Sequence, residues 1–279
     1  MRSALVTGAT GPLGRRLVEQ LGEGHRVTAW GSADVDLRDA AAVGSAVAAA
    51  RPELVFHLAG RRQGTPDAVR ATNVDGLRHL ADALVRLGGG ARLVVAGSSA
   101  QYGLQPSLDP IAETAEQRPT TPYGASKAEQ EALALTYTGT LRVSAVRLFN
   151  LVGAGQRPGL LAEDLAAQLR DPSSTEVVTG DLSGTRDFLD FADAARALLV
   201  IASTGGDGEA YNVCLGRGVA LRALATRLVE LSGRDVPLIE RQEERMDEPL
   251  HQVGDPGKLE ALGWRAEIPL DDSLRALLR

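Results

Sequence analysis

The sequence predicts an α/β fold: a doubly wound parallel sheet with a smaller, interleaved C-terminal α/β unit. Three observations predict it. Short apolar runs alternate with helix-length amphipathic segments through the first 150 residues. A glycine-rich turn, TGATGPLG at residues 7–14, joins the first run to the first helix. Beyond residue 150 the alternation loosens into shorter pieces without any low-complexity linker.

The elements follow in order. SALVTGA is a buried strand ending in glycine. GPLGRRLVEQLG has helical spacing, with Leu13, Leu17, Val18 and Leu21 on one face and Gly22 as a stop. HRVTAW is a second strand, and DAAAVGSAVAAARP an alanine-rich helix closed by Pro52. LVFHLAG is a third strand, TNVDGLRHLADALVRLGGG a helix with a triple-glycine end, and ARLVVAGSS a fourth strand. A proline-containing loop leads to the helix YGASKAEQEALALTY, then to the strand RVSAVRLFN. Strands separated by helices of this length indicate parallel pairing with helices on both faces. Next come a loop LVGAGQRPGL, a helix LAEDLAAQLR, a short strand TEVVTGD and a helix FLDFADAARALLVIAS. A strand EAYNVCLG, a helix ALRALATRLVELSG and a tail of two short helices complete the chain.

Bulk properties bound the function. The 279 residues, 44% hydrophobic, suffice for a full α/β core. A formal net charge of −6 with no basic block argues against nucleic acid as a partner. No apolar stretch is long enough to span a membrane and no signal peptide is expected. Cys214 stands alone, so no intrachain disulfide forms, which suits a cytoplasmic location. His25, His57, His79 and His251 lack ligand spacing, and no metal site is expected.

The turn carries Gly8, Gly11 and Gly14 at a strand–helix junction. Glycines there permit a tight turn and let a pyrophosphate approach the helix N-terminus. This is the arrangement of a Rossmann-type dinucleotide site. An acid at the end of the second strand would hold an adenosine ribose, yet the chain continues with Gly31 and Ser32. Arg15 and Arg16 follow the last glycine. A small hydroxyl at Ser32 with Arg15 nearby suits a 2′-phosphate, so NADP is expected, with NAD the alternative. Asp34 can fold back onto the ribose instead, and Asp36-Leu37 is placed to meet the adenine edge.

Ser98 and Ser99 end the fourth strand, at the edge where open α/β sheets bind ligands. Thr121-Pro122 is an N-cap with proline at the first helical position, putting Tyr123 in the first turn and Lys127 one turn on. Moving a hydride to or from a carbinol carbon also requires a proton on the oxygen. A tyrosine with a pKa of about 10 is a poor base at neutral pH, and a nearby ammonium lowers that value. A serine hydroxyl can hold the substrate oxygen. A hydrolase is disfavoured: AGSSA is not G-x-S-x-G.

Taken together, these motifs resemble the extended short-chain dehydrogenase/reductase superfamily of nucleotide-sugar epimerases, dehydratases and reductases. The resemblance spans nearly the whole chain and includes FHLAG, TNVDG, GSSAQYG, PYGASK, RLFNLVGAGQ, GDLSGTRDFLDFADAARA and AYNVCLGRG. Within it, ARPELVFHLAG, GSSAQYG, RLFNLVGAGQRPG and the closing VGDPGKLEALGWRAEIPLDDSLRALL most resemble GDP-4-keto-6-deoxy-D-mannose reductases. The resemblance implies that Ser98, Tyr123 and Lys127 are catalytic, with Tyr123 and Lys127 also touching the cofactor. It implies that Gly8, Thr10, Gly11, Pro12 and Leu13 line the pyrophosphate. Leu58, Ala59 and Gly60 would pass under the nicotinamide half, and Asn73 would brace the site or touch the cofactor. Ser99, Asn150, Arg186 and Arg245 would bind a nucleotide sugar, arginine matching a diphosphate with its fork. Residues 1–150 and 187–215 would form the dinucleotide-binding domain, and 151–186 with 216–279 the nucleotide-sugar domain. Relatives often dimerise through the tyrosine-bearing helix, whose Ala125, Ala128, Ala132 and Leu133 permit a homodimer.

Two departures shape the expectation. Dehydratases carry an Asp-Glu pair after the catalytic hydroxyl, where this chain has Ser99 and Ala100, so 4,6-elimination lacks its acid and base. The segment RRQGTPDAV is shorter than the enclosing loop of relatives. The expected activity is therefore reduction of a nucleotide-linked 4-keto-6-deoxy sugar. A 4-epimerase with tightly bound NAD is the alternative, and a non-enzymatic dinucleotide sensor a distant one.

Overall fold

The computed structural model describes residues 1–241 and 250–279. The chain begins β1 (Arg2–Thr7), α1 (Pro12–Leu21), β2 (His25–Trp30), α2 (Ala40–Ala50) and β3 (Leu54–His57). It continues through α3 (Pro66–Arg70), a π-helical turn Ala71–Asp75, α4 (Gly76–Arg86), β4 (Arg92–Ser98), α5 (Pro122–Leu135), β5 (Arg142–Leu148) and β6 (Asn150–Val152). Then follow α6 (Leu161–Arg170), β7 (Val177–Thr179), β8 (Thr185–Asp190), α7 (Phe191–Thr204), β9 (Glu209–Val213) and β10 (Gly218–Ala220). The last elements are α8 (Leu221–Ser232), β11 (Leu238–Glu240), β12 (His251–Gln252), α9 (Gly257–Glu260) and α10 (Leu270–Leu277).

Six strands form a parallel sheet in the order β2-β1-β3-β4-β5-β9. The period-2 geometry of strands sorts their side chains between two helical layers. Ala4, Val6, Phe56, Val94 and Val146 pack with Leu17 of α1 and Leu198 of α7. Leu5, Val55, Leu93 and Val143 pack with Val47 of α2 and Leu80 of α4. Both faces are covered, which is why these strands read as continuous apolar runs. From β1 the chain goes to β2 on one side and returns to β3 on the other. The crossovers diverge there and leave a crevice beyond the carboxyl ends of β1 and β3.

A third cluster gathers Leu165 and Leu169 of α6, Leu224 and Leu228 of α8, and Leu274 and Leu277 of α10. These lie with a small sheet β10-β8-β12, to which β6 adds by pairing β8, and with the β7–β11 pair. Two sequence expectations are corrected here. Phe188, Leu189 and Asp190 form the end of β8 and not the start of a helix. Asp190 is an extended N-cap whose carboxylate accepts the Ala192 N–H at 2.7 Å, so the helix starts at Phe191. The segment read as a loop from Leu151 begins within β6, because β8 supplies its ladder. Among the described residues, no helix is long and apolar enough to cross a membrane, and no group of three His, Cys, Asp or Glu could hold a metal ion.

Candidate active site

The crevice at β1 and β3 is a cavity of about 570 Å³. Gly8, Thr10, Gly11, Pro12 and Leu13 line one wall, Ser32, Asp36 and Leu37 its outer end, and Leu58, Ala59 and Gly60 its floor. The turn has no room for side chains. Gly8 has φ of 70°, and a Cβ built on it would stand 2.7 Å from the Ala59 amide nitrogen. A Cβ on Gly14 would overlap the Gly8 carbonyl oxygen. Behind this bare turn stands the N-terminus of α1, whose first amides have no partner in the helix. Thr7 ties the floor to β1, its hydroxyl bonding His57 Nδ1 at 2.9 Å and accepting the Ala59 N–H at 3.2 Å.

At the outer end, Arg15 is exposed and donates from Nε to the Thr10 carbonyl at 3.1 Å, so it stands beside the turn and outside the cavity lining. Asp36 grips Arg38, which holds its carboxyl down at about 2. Asp34 folds back onto the strand end, accepting the Gly31 N–H at 2.7 Å. Asn73 is fully buried in the π-helical turn. It accepts the Arg61 N–H at 2.7 Å and donates to the Arg61 carbonyl and to Ser126, so it braces the loop after β3.

The inner end reaches Gly60 and Ala96. Behind them lies Lys127, 3% exposed. Its ammonium donates to the Ala96 carbonyl at 2.7 Å and to Gln130 at 2.8 Å. It would be 3.1 Å from a Cβ on Gly60 and is 6.0 Å from the Tyr123 ring centre. Thr121 caps α5 by accepting the Gly124 N–H at 3.0 Å, with Pro122 first in the helix, and this sets Tyr123 in the opening turn. Burial pushes the Tyr123 phenol above its usual value, opposed by a hydrogen bond with the Ser98 side chain and by the charge of Arg62. Ser98, Tyr123 and Lys127 thus come from two adjacent elements to one place.

Burial also brings Lys127 down to about 7 from 10.5. Between those values the unfolded chain holds a proton that the folded chain does not. Stability therefore rises as pH climbs through this window. Unfolding midpoints of the cofactor-free protein should rise across the window, and Lys127→Met should flatten that rise. Equal slopes in the two proteins would show that the lysine is hydrated.

The substrate candidates are more dispersed. Ser99 is buried, its carbonyl accepting Gln252 Nε2 at 2.9 Å. Asn150 donates to the Asp187 carbonyl at 3.2 Å. Arg186 is 9% exposed on β8 and donates to the Thr185 carbonyl. Arg245 lies outside the described residues. The sequence alone does not single out Arg62, which reaches the Gly159 carbonyl at 2.6 Å across the cleft. Nor does it single out Gln101, Glu131 and Arg147, a buried set behind Ser98. Only Gln101 carries a local signal, since Ser98-Ser99-Ala100-Gln101 has the S-x-x-Q capping pattern.

The NAD dependent epimerase/dehydratase family profile matches residues 4–214. GDP-6-deoxy-D-mannose reductase of Pseudomonas aeruginosa is 30% identical over 292 residues, covering 98% of this chain and 95% of that one. The solved structure of RMD from Pseudomonas aeruginosa complexed with NADPH superposes with a TM-score of 0.90 at 28% identity, covering 99% and 97% of the two chains. UDP-glucose 4-epimerase of Thermus thermophilus, solved in complex with NAD, gives 0.91 at 26% identity over 100% and 98%.

Proposed function

Because this chain belongs to the NAD-dependent epimerase/dehydratase family, we propose that it is an NAD(P)H-dependent reductase of a nucleotide-linked 4-keto-6-deoxy sugar. The observation that carries this reading is the meeting of Ser98, Tyr123 and Lys127 beside the inner end of the cavity that the glycine turn lines. The bare glycine turn and the α1 N-terminus fit a pyrophosphate. NADP is the cofactor we favour, from Ser32 in the lining, Arg15 beside it and the NADPH-bound relative. Asp34, whose carboxylate occupies the end of β2, supports NAD as the alternative, as does the NAD-bound relative.

When bound, the reduced nicotinamide supplies the hydride. Ser98 holds the C4 carbonyl oxygen by a hydrogen bond, and Tyr123 delivers the proton to it. Lys127 supports the phenol and the cofactor ribose from behind. Asn150, Arg186, Arg245 and Ser99 receive the sugar nucleotide. In this reading residues 1–150 with 187–215 hold the cofactor, residues 151–186 with 216–279 hold the sugar nucleotide, and two copies pair through α5. A dehydratase is disfavoured: Ser99 and Ala100 offer no carboxylate, and buried Glu131 is engaged by Arg147.

A 4-epimerase would use the same residues, and the likeness to the Thermus epimerase favours it as the second reading. GDP-, dTDP- and UDP-linked 4-keto-6-deoxy sugars, each with NADPH and NADH, separate the two. A reductase consumes reduced nicotinamide in step with product. Interconversion of 4-epimers on cofactor retained through purification, without net consumption, would overturn the reductase reading.

A further inference from the structure

Gln101 and Glu131 lie outside the proposed chemistry, yet both are buried, at 0% and 4% exposure, directly behind Ser98. Gln101 Oε1 accepts the Ser98 backbone N–H at 3.0 Å. Its Nε2 donates to Glu131 Oε2 at 2.7 Å. A glutamine amide has a donor end and an acceptor end, and an acceptor-only carboxylate can receive only the donor. Glu131 therefore dictates which end faces Ser98. Glu131 is itself fixed: Arg147 bonds both its oxygens, Nε to Oε2 at 3.0 Å and Nη2 to Oε1 at 2.5 Å, and Gln117 donates to Oε1 at 2.9 Å. The backbone makes space for this amide. A Cβ on Gly97 would stand 2.6 Å from Gln101 Oε1.

The consequence reaches the Ser98 hydroxyl. Its oxygen accepts the Ala100 N–H at 3.2 Å, within the turn that Gln101 closes. That bond takes up one lone pair of the oxygen and holds the Ser98 hydroxyl where it hydrogen-bonds the Tyr123 phenol. Helix α5 grips β4 twice, through Lys127 on Ala96 and through Glu131 and Gln101 on Ser98.

We propose that Gln101 and Glu131 are positioning residues, an amide oriented by a buried carboxylate that aims the Ser98 hydroxyl at the reacting oxygen. This rests on Ser98 acting in catalysis. The test starts from Gln101→Met, which leaves the Glu131–Arg147 pair intact. We expect kcat to fall about 10- to 100-fold, in the range that small misplacements produce, with NADPH dissociation constant and substrate KM within about twofold. Two charged or titratable groups face the Tyr123 phenol, Lys127 from α5 and Arg62 from the loop after β3, and the neutral Ser98 hydroxyl bonds it from β4. With Ser98 misaligned, one hydrogen bond that favours the phenolate is lost, and the alkaline limb of the kcat profile moves to higher pH.

A merely structural role would lower the fraction of folded enzyme and leave the pH profile of the remainder in place. A parental kcat and profile in Gln101→Met would overturn the proposal. Ser98→Ala is measured beside it. If it turns over at the parental rate, the catalytic reading falls. If it is inactive while Gln101→Met is parental, only the positioning role falls.

Discussion

Tyr123→Phe is expected to lower kcat by about 10²–10⁴, the span that general acid–base groups contribute, and to leave NADPH binding near the parental value. The substitution removes one oxygen from a half-buried ring on the first turn of α5. Thr121 and Pro122 set that turn, and neither depends on the phenol. The glycine wall and the floor at Leu58, Ala59 and Gly60 are untouched. Stability should therefore change little, and Ser98 keeps its bonds to Gln101 and Ala100. Binding is read by nicotinamide fluorescence and turnover by absorbance with the best substrate of the panel. A variant that binds NADPH and retains parental kcat would move the proton donor to another group. A variant that loses both would mean the phenol supports the fold of the cleft and would leave no ground for calling it the acid.

Much of this site could be read from the chain because its parts are local. The turn at Gly8–Gly14 and the cap at Thr121-Pro122 each specify geometry within eight residues, and strand alternation assigns both to the carboxyl edge of a parallel sheet. The network behind Ser98 is different. Gln101, Gln117, Glu131 and Arg147 come from separate segments, and apart from the capping pattern at Gln101 none carries a local signal. Burial by α5 and the loop before it converts them into one charged cluster, and only tertiary packing reveals that. Residues 188–190 show the same limit. Their apolar spacing suits a helix, but the β6 partner that makes them a strand lies at a distant point of the sequence. Arg62 is a third case. The loop after β3 is short, yet its arginine spans the cleft to Gly159, a reach that spacing does not report.

Arg147→Met is expected to destabilise the protein by about 3–5 kcal/mol, the loss typical of breaking a buried ion pair on one side. Arg147 and Glu131 are 5% and 4% exposed. Burial works against the guanidinium, yet the Glu131 carboxylate keeps its pKa above the ordinary value. Arg147 also donates to the Tyr102 hydroxyl at 2.8 Å and the Glu113 carbonyl at 2.7 Å, and stacks 4.9 Å over the Tyr102 ring. Methionine fills much of the volume but leaves the carboxylate with two neutral amides for partners. Total stabilities of domains run about 5–15 kcal/mol, so this one change removes a large share. Pairing it with Glu131→Leu removes the stranded charge and should recover part of the loss. Recovery stays incomplete because Gln101, Gln117 and Tyr102 still lose partners. Denaturant midpoints of the parent, both single variants and the double variant give the coupling energy. A single-variant loss of about 0–1 kcal/mol, the value of exposed pairs, would mean water reaches the pair. In that case the carboxylate could not orient Gln101, so the same measurement bears on how Ser98 is aimed.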